Sequence, residues 1–237
     1  MDDRFIREAA LLGEAAVDKL NGSHVAVFGI GGVGSWCAEA LARSGVGRLT
    51  LVDKDCVARS NINRQLIAAE SSVGMSKAEL AAARIRDINP NAQVTAITGT
   101  YCADNRDDFF SDYDFVADCI DLVSCKIDLI MTCRERGIPI ISALGTGNKK
   151  DASLLRISDI SKTENDALAR VVRKELRARD ILHTPVVWSP ELPMAAEQSE
   201  APDPGRRSVP GSLVWVPACA GLLICQYIVS GLTEPEK

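Results

Sequence analysis

The eight cysteines of this chain include no Cys-x-x-Cys pair, and it has only two histidines. A tetrahedral zinc site built from two such pairs is therefore excluded. His24 and His183 have no partner at metal-ligand spacing, so both read as structural. Positive charge is not in excess: the net charge of -5 argues against a protein that coats nucleic acid non-specifically, while leaving room for a local basic patch. The start, Met1-Asp2-Asp3-Arg4, lacks a basic stretch followed by an apolar run. With no secretory signal visible, the cysteines are expected as free thiols in a reducing compartment, and the expected location is cytoplasmic. No internal repeat is present. Leu213–Val229 is the one long apolar run, but Pro217 and Gly221 interrupt it and no Lys or Arg cluster flanks it. A membrane span needs roughly 20 apolar residues, so this run is expected to be a buried or interface helix, and no membrane partner is expected.

What is present is an alternation of short apolar runs and helical periodicity. His24–Ile30, Arg48–Val52, Ala92–Thr98, Phe115–Cys119 and Ile138–Ala143 read as strands, and Val33–Ser44, Ser76–Ile88 and Leu122–Arg136 as helices between them. Ser76 and Glu79 have the spacing of a capping box, and Pro90 closes that helix. The expected fold is α/β, doubly wound and Rossmann-like, with a mostly parallel sheet and a C-terminal extension of strands and helices. At 237 residues the chain is expected to form a single domain, with a nucleotide-binding core over 1–145 and an extension over 146–237. In the extension, Ser153–Ile157 and Pro185–Trp188 read as strands and Glu164–Arg179 as a helix. Pro190–Pro210 is a long aperiodic loop, of a kind usually functional in compact domains.

The chemistry lies between Gly29 and Lys77. Gly29-Ile30-Gly31-Gly32-Val33-Gly34 joins a strand to a helix. In such a turn the first glycine makes the bend, the second lets phosphate approach the backbone, and the third permits close packing. Gly29, Gly31 and Gly34 take these roles, and Asp53 at the end of the second strand fits a ribose-binding acid. NAD and ATP are served equally up to this point. Asp55, Asn61, Arg64, Gln65 and Lys77 discriminate, because fixed cations neutralise charge building on leaving phosphates and a hydride-transfer enzyme has no need of them. Asp121, just past an apolar strand, places a carboxylate at the sheet's carboxyl edge, where ligands bind.

This spacing resembles the ubiquitin-activating-enzyme-like adenylyltransferases, which include those of molybdopterin and thiamine biosynthesis. Their Gly-x-Gly-Gly-x-Gly, Asp-x-Asp, Asn-x-x-Arg-Gln, Lys and later Asp are matched here by Gly29–Gly34, Asp53 and Asp55, Asn61, Arg64, Gln65, Lys77 and Asp121. The resemblance implies ATP as substrate and Mg²⁺ held at Asp121. Arg4-Phe5-Ile6-Arg7 resembles a segment whose second Arg reaches the partner subunit's ATP site, which implies a homodimer with Arg7 acting in trans. Val186–Glu191, Gly205-Arg206-Arg207, Pro210-Gly211-Ser212 and Val216-Pro217 resemble the tRNA threonylcarbamoyladenosine dehydratase branch. That branch implies a tRNA carrying threonylcarbamoyladenosine as substrate, and a sulfur-relay protein is a possible partner.

The implied reaction adenylates the threonine carboxylate, after which the neighbouring carbamoyl group closes a ring with net loss of water. Such ring closure gains an effective molarity of up to about 10⁵–10⁸ M and requires no enzyme nucleophile. Cys37, Cys119, Cys133, Cys219 and Cys225 are therefore expected as buried hydrophobes, with Cys56, Cys102 and Cys125 left open. A basic helix face, Arg170, Arg173, Lys174 and Arg177, with Arg179, Lys149-Lys150 and Arg206-Arg207 nearby, is a candidate for phosphate contacts. Three alternatives stand beside this reading. They are adenylation of a sulfur-carrier protein's C-terminus, an NAD-dependent oxidoreductase, and a nucleotide-sensing scaffold.

Overall fold

The computed structural model describes residues 2–195 and 210–233. Two helices, α1 (Ile6–Leu12) and α2 (Glu14–Gly22), precede β1 (His24–Phe28), α3 (Gly34–Arg43) and β2 (Arg48–Val52). There follow α4 (Lys77–Ile88), β3 (Gln93–Ile97), β4 (Phe115–Asp118), α5 (Val123–Glu135) and β5 (Ile140–Ala143). The chain continues through β6 (Arg156–Asp159), α6 (Ala167–Arg177), β7 (Pro185–Trp188) and α7 (Trp215–Thr233). One seven-stranded sheet runs β3-β2-β1-β4-β5-β7-β6. Every pairing is parallel except β6 with β7. The mostly parallel doubly wound sheet is as the alternation predicts. Strand order reverses between β1 and β4, so the loops after these two strands share the crevice at the carboxyl edge.

β1 and β4 are buried along their whole length, which is why residues 25–28 and 115–117 read as apolar runs, with Asp118 the one buried carboxylate among them. α4 starts as its capping pattern predicts, the Ser76 hydroxyl accepting from Glu79 N. Elsewhere the boundaries differ from expectation. Residues 152–154 form a helical turn fixed by Asp151, whose carboxylate accepts from Ser153 N, so the strand begins only at Arg156 rather than at Ser153. α6 begins at Ala167 rather than Glu164, because Asn165 adopts φ +54° and Asp166 caps the helix by accepting from Ala169 N at 2.8 Å.

The apolar run near the C-terminus is a single 19-residue helix, long and apolar enough to cross a membrane. Pro217 does not interrupt it, because in the first turn its missing N–H leaves no intrahelical bond unmade. Gly221 does not break it either, since a Cβ there would stand 2.4 Å from Val33 O and 2.9 Å from Cys37 N. The glycine lets α7 press directly on the first turn of α3. Val216, Ala220, Ile224 and Ile228, one helical turn apart, are fully buried in the main core with Leu41 and Ile141. Each large aliphatic side chain so buried contributes roughly 1.5–3 kcal/mol, so this helix is a core element of the fold.

Candidate active site

The turn after β1 assigns each glycine its work. Gly29 has φ +90°, and a Cβ there would lie 2.6 Å from Cys119 O, in the loop after β4. A Cβ on Gly34 would lie 1.8 Å from Gly29 O, so this glycine lets α3 start against the turn itself. Gly31 is different. Its nearest neighbour would be Gln65 Nε2 at 3.9 Å, which leaves its backbone open to a ligand. Gly32 faces Pro217 of α7, with 3.3 Å to that ring from an added Cβ. Val33, the N-cap of α3, supplies no side-chain cap, so the positive end of the helix points at this opening.

Asp53, just past β2, holds both flanks of the site: its Oδ2 accepts from Ile30 N at 2.6 Å and its Oδ1 from Asp55 N at 2.8 Å. Burial pushes the Asp53 carboxyl up from the usual carboxylate range, against the two backbone N–H groups and the nearby Lys77 charge. Asp55 Oδ2 accepts from Lys77 Nζ at 3.1 Å, and Lys77 N donates to Asp55 O. Lys77 is the first residue of α4 and only 6% exposed. A buried ammonium at the positive end of a helix is poorly placed for stability, and a bound polyphosphate would relieve it.

Residues 59–66 form the wall facing the glycine turn. Asn61 is buried and its Oδ1 accepts from Ala58 N at 3.0 Å. Arg64 Nη1 donates to Ser60 O and Asn63 Oδ1. The Gln65 side chain is buried with Oε1 lacking a hydrogen-bond partner, an orphaned acceptor beside open Gly31. The expected nucleotide residues are thus brought together. An open backbone, a helix N-terminus, an orphaned amide and a buried lysine fit ATP in kind. Asp121 is exposed between β4 and α5, at the carboxyl edge. No group of three or more His, Cys, Asp or Glu among the described residues is arranged to hold a metal ion. One exposed carboxylate completed by phosphate oxygens and water is nonetheless a donor set that suits Mg²⁺.

Arg7 is not in this group. Phe5 packs over Gly45, just past the C-terminal end of α3, while the glycine turn is at the other end. Ten residues of helix separate them, about 15 Å at 1.5 Å per residue. Arg7 is exposed on α1, among the exposed apolar residues Ile6, Leu11 and Leu12.

Several side chains that build the site carry no signal in the linear pattern. Ser35 Oγ donates to Gly31 O at 2.7 Å and accepts from Leu66 N at 3.1 Å, and Trp36 Nε1 donates to Arg64 O. These bonds join the turn to its facing wall. Beneath them, Asp118 and Lys126 form a fully buried ion pair at 2.6 Å, and Asp118 Oδ1 accepts from Ile120 N. Asn148, at φ +59°, exchanges bonds with Gly211 and accepts from Met194 N, closing the two described ends that flank residues 196–209.

The basic face is smaller than its sequence suggests. Arg173 Nη1 donates to Thr163 O at 2.8 Å, so it braces α6 against the loop before it. Lys149 is buried and bonds Asp166 Oδ2 at 2.9 Å and Ser189 O at 2.8 Å. Arg179 pairs with Glu175, leaving Arg170, Lys174 and Arg177 as the exposed cations of the helix face. Gly205, Arg206, Arg207 and most of the 190–210 loop lie outside the described residues. Cys37, Cys133 and Cys225 are buried as expected, whereas Cys119 and Cys219 are half-buried. Of those left open, Cys125 is buried, Cys102 half-buried and Cys56 exposed. Burial pushes the Cys225 thiol up to about 12. His24 lies 3.0 Å from Thr50 Oγ1 and 3.3 Å from Asp112, a structural role as expected.

The profile of the ThiF family matches residues 3–178. The chain is 42% identical to the tRNA threonylcarbamoyladenosine dehydratase of Bacillus subtilis, covering 98% of this chain and 95% of that protein. It is 43% identical to the Escherichia coli protein of the same name over 74% of this chain and 66% of the relative. Among solved structures, the E. coli tRNA N6-threonylcarbamoyladenosine dehydratase in complex with ATP superposes with a TM-score of 0.87. That match has 36% identity and covers 97% of this chain and 93% of that one.

Proposed function

This chain belongs to the ThiF family, and on that premise we propose that it is an ATP-dependent tRNA threonylcarbamoyladenosine dehydratase. The observation that carries the reading is the pairing of an open glycine turn with a buried lysine at the start of α4. The near full-length similarity to dehydratases of that name supplies the substrate. The oxidoreductase alternative rests on the glycine turn and Asp53, which serve any nucleotide, and leaves Lys77 without a purpose. The sulfur-carrier and scaffold readings have no observation of their own in the site.

In the proposed chemistry the backbone at Gly31 and the first turn of α3 hold phosphate, Asp53 accepts from the ribose, and Asn61 and Gln65 line the pocket. Arg64 and Lys77 stabilise the charge that builds as pyrophosphate leaves. The carboxylate of threonylcarbamoyladenosine takes the adenylyl group and becomes a mixed anhydride. The neighbouring carbamoyl group then displaces AMP and closes the ring, so that one water is lost for each ATP converted to AMP and pyrophosphate. Mg²⁺, held through Asp121, would supply a positive charge beside the α-phosphate. The enzyme is proposed to work in the cytoplasm as a homodimer, with Arg7 of each subunit acting at the other's site. A sulfur-relay protein stays a possible partner.

The test is ATP consumption with tRNA that carries, or lacks, the threonylcarbamoyl group, followed by nucleoside mass analysis. Loss of one water from the modified adenosine, only with ATP and Mg²⁺, is the expected result. ATP use without a mass change would overturn it. For trans action, an Arg7→Ala protein mixed with an Asp121→Ala protein should regain part of the activity that each lacks, through one intact hybrid site. Verified heterodimers that stay inactive would rule that arrangement out.

A further inference from the structure

The chain has three tryptophans, and two of them are tied into the body. Trp36 is half-buried and donates to Arg64 O. Trp188 is 3% exposed and donates to Ser158 Oγ. Trp215 differs. It is the first residue of α7, it is 48% exposed, and its indole Nε1 donates to Lys150 O at 2.7 Å. Its one polar atom is thus satisfied, its ring is fixed, and its exposed surface is apolar. Leu213 and Val214 beside it are exposed as well.

The position of this ring is what gives it a use. Two residues further on, Pro217 packs on Gly32 of the phosphate turn. Three residues earlier, Ser212 O accepts from Asn63 Nδ2, and Asn63 Oδ1 in turn accepts from Arg64. The chain on either side of Trp215 therefore borders the glycine turn and its facing wall, and the indole reaches from there to the 148–151 segment. An enzyme that works on a base must take it out of its stack, and RNA-binding proteins recover part of that cost by stacking the freed base on an aromatic ring.

We propose that Trp215 is a stacking platform for an unstacked nucleobase of the RNA substrate, holding the acceptor beside the phosphate turn. The proposal rests on the functional reading above and deepens it. An exposed ring at an interface with a second copy of the chain is the competing use.

The experiment compares wild type, Trp215→Ala and Trp215→Phe in steady-state dehydration of tRNA carrying threonylcarbamoyladenosine. Trp215→Ala should raise the KM for tRNA by roughly 5- to 150-fold, the range expected from losing one base–aromatic stack, with the KM for ATP unchanged. Trp215→Phe keeps a ring, and its increase should be much smaller. In wild type, the modified tRNA should shield tryptophan fluorescence from acrylamide, and Trp215→Phe should remove that shielding. An unchanged KM for tRNA in Trp215→Ala overturns the platform. So does a loss of dimer on sedimentation, which would assign the ring to a subunit interface. A wild type that dehydrates nothing overturns the functional reading and the occupant with it, and shows itself before any variant is compared.

Discussion

Lys77→Met should cut the rate of dehydration by about 10²–10³-fold, the usual cost of removing one fixed group that meets developing charge, while leaving the protein at least as stable. The two effects separate because of where the ammonium sits. In the absence of nucleotide it is buried at the positive end of α4, balanced by the half-exposed Asp55 carboxylate. Removing it takes a cation from an unfavourable helix end and leaves Asp55 at an end that favours anions. The ion pair is worth little where one partner is largely solvated. Thermal unfolding without ATP should therefore show a melting temperature unchanged or raised, and single-turnover assays should show the loss in the chemical step. A variant that loses activity in proportion to stability would return Lys77 to a structural role. A variant that keeps activity would remove Lys77 from the proposed machinery.

The second large effect is on stability. Lys126→Met should lower the unfolding free energy by about 3–5 kcal/mol, the usual cost of leaving one partner of a buried ion pair uncompensated. Against a total of about 5–15 kcal/mol for a folded domain, this is a severe loss, read directly from the urea midpoint. Asp118 and Lys126 are both 0% exposed. With the ammonium gone, Asp118 Oδ2 loses its 2.6 Å partner, and among the described residues its carboxylate keeps the bond from Ile120 N to Oδ1. Asp118→Asn combined with Lys126→Met should recover most of the stability, since neither residue is then charged. If the single variant unfolds at the same midpoint as wild type, the carboxylate is being solvated by water entering the core.

The pair lies under the loop that carries Asp121 and presses Cys119 O on Gly29. The double variant thus also asks whether the site needs the charges or only the volume. Uncharged core residues of similar size frequently replace a buried ion pair without loss of stability. A double variant that folds normally but turns over slowly would show that the pair positions the 118–121 loop. Normal turnover would limit the pair to packing.

Much of this architecture is legible from local pattern, because its causes are local. Strands buried on both faces are mostly apolar, which is why β1 and β4 are plain in the sequence. The Ser76 side-chain cap fixes the start of α4 within one turn. The glycines betray the tight turn after β1, since φ +90° at Gly29 and the contact of Gly34 with Gly29 O exclude other residues. The shifted starts of β6 and α6 come from local caps at Asp151 and Asp166, while other departures come from contacts distant in sequence. Gly221 looks like a helix breaker until α7 is laid on α3, where it permits contact with Val33 O. Arg173 and Lys149 look like surface cations until Thr163, Asp166 and Ser189 are placed around them.

Local pattern carries the class of fold, the glycine turn, and cations of the type proposed to neutralise a leaving pyrophosphate. Periodicity, backbone sterics and charge are properties that each short segment carries with it. Which side chains do the supporting work emerges from packing between elements. Ser35 and Trp36 join the turn to the 59–66 wall, Asp118 and Lys126 brace the loop beneath it, and Trp215 is held exposed by its bond to Lys150 O. Each of these roles depends on a partner from another element. Burial and hydrogen bonding between such partners are settled by packing, which no short stretch of sequence contains.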